Sequence, residues 1–123
     1  MPEAQPADPE QPVSCAYLER RAWVRFGTDL EATCRRRRGL KALGWPARVK
    51  DISVAGIGLL LRHRFRPGSY LAVEVHDPSG GCVRRLSVRV VHTAPLNVDG
   101  EPCWLTGCLL TDRLTADEVQ ALL

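Results

Sequence analysis

The sequence predicts an all-β fold: a small antiparallel barrel of six to seven strands, with a flexible N-terminal arm and a short C-terminal helix. Three observations predict it. Apolar and polar residues alternate with period two, as in Leu71, Val73 and Val75 against Ala72, Glu74 and His76. Turn residues separate such runs, most plainly at Asp77-Pro78-Ser79-Gly80-Gly81, where proline sets φ and the glycines accept positive φ. Thr115-Ala116-Asp117-Glu118 then reads as a capping box opening a helix over 115–123, with Val119, Leu122 and Leu123 as its apolar face.

Residues 1–13 contain four prolines among Glu, Gln, Asp and Ala, with almost nothing to pack, and read as a disordered tail. A single domain follows over 14–123. Its arm, 14–26, scatters Tyr17, Leu18, Trp23, Val24 and Phe26 among charges, with a helical turn near Ala16 to Arg20. The barrel occupies 27–112. Leu30, Ala32 and Cys34 alternate with Glu31 and Thr33 as the first strand. Arg35 to Gly44 carries four consecutive arginines and two glycines without periodicity, which predicts a protruding loop.

Ala47 to Ile52 and Ile57 to Leu61 read as the next two strands, and Arg66-Pro67-Gly68-Ser69 as a turn before the Leu71 strand. Cys82 to Thr93 is a long strand, Ala94 to Glu101 a turn containing Pro95, Asn97 and Asp99-Gly100, and Pro102 to Leu110 the last strand. Gly107 within it marks a bulge or a close backbone approach. All connections are expected to be hairpin-like.

The 123 residues suffice for one domain that buries about two-thirds of its unfolded surface. A net charge of +3 is too small to argue for bulk nucleic-acid binding. The longest apolar run, Ile57 to Leu61, cannot span a bilayer, and the N-terminus lacks a basic-then-apolar signal, so a cytoplasmic location is expected. The five cysteines contain no CxxC pair, and Cys34, Cys103 and Cys108 sit among apolar residues as small hydrophobes. With His63, His76 and His92 isolated, no metal site or cofactor is expected. The enzyme signatures GxSxG, HExxH and the P-loop are missing, so no catalytic residue is assigned.

Two polar clusters stand out. Arg20, Arg21 and Arg25 present planar donor forks suited to phosphates and to the O6/N7 edge of guanine. Asp51, Ser53 and Gly56 place a donor-accepting carboxylate, a hydroxyl and a pliant backbone at the end of an apolar run. Together they suit an anionic, purine-bearing ligand.

Arg21-x-x-x-Arg25 followed by Asp51-x-Ser53-x-x-Gly56 resembles the paired signature of PilZ domains, bacterial receptors for cyclic di-GMP. The resemblance covers roughly residues 18–112. It implies that Arg21 and Arg25 grip guanine and phosphate from the arm, with Asp51 and Ser53 on the barrel rim and Gly56 keeping the rim open. An arginine at position 20 is associated in such domains with a stacked ligand dimer. The resemblance further implies that ligand closes the arm, changing a surface offered to a downstream protein partner or to a homodimer. Two other functions compete: a nucleic-acid-binding barrel using Arg35–Arg38 with Trp45, and a PilZ-like adaptor that binds no ligand.

Overall fold

The computed structural model describes residues 24–37 and 44–123. The tail, Arg20, Arg21, Trp23 and Arg38 lie outside the described residues, as does the helical turn expected near Ala16. Six strands follow in order: β1 (Phe26–Arg36), β2 (Trp45–Ile52), β3 (Gly56–Leu61), β4 (Tyr70–His76), β5 (Cys82–Val98) and β6 (Glu101–Leu110). Among the described residues one helix, α1 (Ala116–Leu122), follows β6. The strands close into an antiparallel barrel in the order β1-β2-β3-β6-β5-β4, with β4 pairing back to β1.

Alternation decides which residues go inside. Ala32, Cys34, Val49, Ile57, Leu59, Leu61, Leu71, Val73, Val75, Val88, Val90 and Cys108 point inward and form one core, joined by Phe65 below and by Val119 and Leu122 of α1. The helix begins as its capping box demands: the Thr115 hydroxyl accepts from the Glu118 amide at 3.0 Å, and the Glu118 carboxylate accepts from the Thr115 amide at 2.8 Å. Leu123 departs from the expected apolar face, being the C-cap and 49% exposed.

Four further expectations are corrected. Arg35 and Arg36 belong to β1, paired with Ala72 and Leu71, because the β1–β4 ladder continues past the alternating stretch. Phe26 to Asp29 also belong to β1, which begins opposite Ile52. Ala94 to Val98 is strand rather than turn: it pairs with Leu105 to Glu101 in β6. Here β5 has run past the end of β4, so no strand among the described residues pairs with its other edge, and Pro95 is tolerated on such an edge. The turn itself is only Asp99-Gly100, both at positive φ (53° and 82°), the backbone that a two-residue hairpin favours. Lastly, β3 and β4 are not a hairpin. Residues 62–69 cross the end of the barrel, because β3 pairs with β6 and β4 with β1 and β5. Among the described residues, no helix is long and apolar enough to cross a membrane.

Candidate functional site

The site forms where β2 ends and β3 begins. Ser53 makes that turn. Its amide donates to the Gly56 carbonyl at 2.8 Å, and its hydroxyl accepts from the amides of Gly56 (3.0 Å) and Ala55 (3.3 Å). The Ser53 side chain is fully buried, so its polar capacity is spent on holding the turn in one shape.

Gly56 follows, where a Cβ would meet the Cys108 carbonyl at 2.9 Å and stand 3.6 Å from the Arg25 guanidinium. Only glycine lets β3 approach β6 this closely. Arg25, just before β1, lies over this glycine and forms an ion pair with Asp51 at the end of β2. Both side chains remain about one-third exposed (38% and 33%), so the pair opens to water on one side. The fold therefore joins a residue of the first polar cluster to a residue of the second, across 26 positions of sequence.

Sequence reasoning missed Gly58. It lies opposite Asp51 in the β2–β3 ladder, and a Cβ there would stand 2.9 Å from each carboxylate oxygen. The Asp51 carboxylate thus lies flat over Gly58. The signal available was a second glycine within an apolar strand, which marks close approach of another group.

The rest of the sequence-selected residues fall elsewhere. Trp45 stacks on His63 at 4.7 Å and meets the edge of Phe65 at 5.1 Å. The Arg36 guanidinium covers both rings, 5.9 Å from Trp45 and 5.5 Å from Phe65. This aromatic plug closes the opposite end of the barrel from the β2–β3 turn. Arg35 reaches Glu74 at 3.7 Å. Cys34, Cys103 and Cys108 are buried and Cys82 is exposed. Burial pushes the thiols of Cys34 and Cys108 up to about 12. Among the described residues, no three His, Cys, Asp or Glu side chains gather as metal ligands.

A six-stranded closed barrel with an arginine held against an aspartate beside a serine-glycine turn defines a class of small β-barrel domain. The sequence profile of the PilZ domain matches residues 19–123, and the chain belongs to the PilZ domain family. Solved structures share the fold. The PilZ domain with c-di-GMP of YcgR from Escherichia coli is 18% identical, with a TM-score of 0.59 over 84% of this chain and 86% of that one. The Bacillus subtilis inhibitor of motility (MotI/DgrA) is 19% identical, with a TM-score of 0.53 over 81% of this chain and 46% of that one. The K. pneumonia MrkH-c-di-GMP complex is 16% identical, with a TM-score of 0.53 over 78% and 45%. This chain therefore matches less than half the length of the MotI and MrkH chains. No curated protein matches it.

Proposed function

We propose that this chain is a receptor for cyclic di-GMP, binding it through Arg21, Arg25, Asp51, Ser53 and Gly56, with Arg20 as a further basic group. The observation that carries the reading is the Arg25–Asp51 ion pair, which joins the two motif halves on one solvent-open face. Membership of the PilZ family supports it, as do the c-di-GMP complexes of the YcgR domain and MrkH.

The chemistry is an exchange of partners. Asp51 accepts from the guanine N1 and N2 donors, and its two oxygens allow it to keep Arg25 or release it to phosphate. Ser53 acts by fixing the turn from which Asp51 and Gly56 present themselves. Each bidentate arginine–guanine contact contributes on the order of 1–3 kcal/mol. Binding closes the arm, 14–26, onto the barrel, and the ligand's preference for the closed arrangement sets the size of the response. The altered surface then serves a partner protein or a second copy of the chain, a role suited to the cytoplasm.

Calorimetric titration of cyclic di-GMP into the full chain tests this. Micromolar or tighter binding is expected, lost in Arg21→Ala and in Asp51→Ala, with the molar ratio distinguishing one ligand from a stacked pair. Absence of both heat and thermal shift in the unaltered protein rejects the reading. The nucleic-acid alternative is disfavoured by the Trp45 environment, since that ring is already packed by His63, Phe65 and Arg36.

A further inference from the structure

The small net charge of +3 conceals an uneven distribution. Residues 32–73 hold ten of the 17 Lys and Arg residues but only one of the 14 Asp and Glu residues, Asp51. Much of that charge gathers where residues 62–69 cross the end of the barrel, away from the β2–β3 turn. The crossover carries Arg62, Arg64 and Arg66 and no carboxylate. The end of β1 adds two more arginines. The Arg36 guanidinium lies 5.5 Å from the ring of Phe65, the residue between Arg64 and Arg66. The Arg37 amide donates to the Tyr70 carbonyl at 3.2 Å, just past the crossover.

Little within the fold neutralises this end. Arg62 pairs with Glu101. Among the described residues no carboxylate pairs with Arg36, Arg37, Arg64 or Arg66, whereas Asp29, Asp51, Glu74, Glu101 and Glu118 each hold another arginine. All four are exposed. Two of them are held by rings instead: Arg36 over Trp45 and Phe65, and Arg64 over Trp104 at 5.3 Å. Stacking uses the flat face of a guanidinium and leaves its N–H edge able to donate. A guanidinium already placed by a ring also loses less freedom on binding than a lysine would. Tyr70, 51% exposed, stands beside Arg37. Arginine and tyrosine are the residues that protein interfaces favour.

We infer that this arginine-rich end is the docking surface for a partner protein that presents clustered carboxylates. The receptor reading calls for a partner, but the inference does not depend on ligand binding, because none of the four arginines belongs to the two motif halves. Carboxylates match guanidinium forks in shape and charge, and each can accept two parallel hydrogen bonds. A long nucleic acid fits less well. The rings that could stack on bases, Trp45, Phe65 and Trp104, are already taken by guanidiniums. Outside residues 32–73, Asp and Glu outnumber Lys and Arg, so the rest of the chain repels a polyanion that extends past this end.

The test is an NMR titration of the full chain with an oligoglutamate peptide at roughly 0.15 M ionic strength, where exposed charges more than about 8 Å apart are largely screened. The amide signals of Arg36, Arg37 and residues 62–70 should move, and those of the β2–β3 turn should stay in place. Affinity should fall about tenfold in Arg36→Gln/Arg64→Gln, which removes two charge-assisted contacts. It should change by less than about twofold in Arg85→Gln/Arg113→Gln, which removes the same net charge elsewhere. Still signals at 36–37 and 62–70 in the unaltered chain overturn the inference. Equal weakening of the two double variants also overturns it, since bulk charge would then account for the binding. Tighter binding of duplex DNA or of phosphatidylserine vesicles than of the peptide overturns the assignment of a protein partner. Asp51→Ala separates this inference from the receptor reading: that variant should lose cyclic di-GMP and keep the peptide.

Discussion

Ser53 and Gly58 work through what surrounds them. The Ser53 hydroxyl satisfies the Gly56 amide at a buried position, which water cannot reach to replace it. In Ser53→Ala that amide loses its side-chain acceptor, and a loss of about 1–3 kcal/mol is expected in urea unfolding. A stability equal to the parent would mean the turn holds through the Ser53 amide–Gly56 carbonyl bond alone. Gly58→Ala should act differently. Its new methyl group would meet the Asp51 carboxylate, a short side chain that can swing away. The barrel should therefore fold, with affinity for cyclic di-GMP reduced on the order of tenfold, since the lost contact carries a charge. Unchanged affinity in calorimetry would show that the carboxylate need not lie over this glycine.

At the scale of elements, α1 is the least secure piece, at seven residues too short to be stable alone. It is held by its cap, by Val119 and Leu122 in the core, and by Arg84 of β5, which donates to Glu118 at 2.7 Å. Thr115→Ala should lower stability by about 1 kcal/mol. The Glu118 carboxyl is held below its ordinary value of 4.5, first by the Thr115 amide and then by Arg84. In the β4–β5 turn, Asp77 is held below 3.8, chiefly by the Ser79 hydroxyl and the Gly81 amide. A carboxyl depressed in the folded state adds stability that is fully present above its unfolded value and is lost as pH falls through the folded one. Melting temperature should thus decline below about pH 4.5, and Glu118→Gln should flatten the upper part of that decline. A variant that keeps the parent slope would remove Glu118 from the acid response.

For the molecule as a whole, closure of the sheet matters most, because each strand pairs with a neighbour on either side and β4 pairs back to β1. Exposure of the core then requires cooperative opening. Cys34 and Cys108 are pushed up to about 12 by burial, whereas Cys82 is exposed. Alkylation followed by peptide mapping should modify Cys82 in native buffer. Cys34 and Cys108 should react only across the global unfolding transition. Labelling of the two core thiols at the rate of Cys82 would show that the barrel opens locally.

The sequence by itself determined the class of fold, the inward face of most strands, the Asp99-Gly100 turn, the helix cap and the motif pair that resembles PilZ domains. Those are local properties, carried by period, turn chemistry and spacing. It misread Ala94–Val98 because Pro95 and Asn97 form turns in most settings, whereas here they pair with β6 on one edge and have no second neighbour among the described residues. It misread Arg35 and Arg36 because charge and missing alternation conceal a strand whose outward face is paired or stacked. Tertiary structure alone decided the neighbours. Period fixes which way a side chain faces, but strand order depends on pairings between distant segments, and the 62–69 crossover places β3 beside β6. Only that adjacency sets Gly58 against Gly107, with Asp51 and His92 on either side.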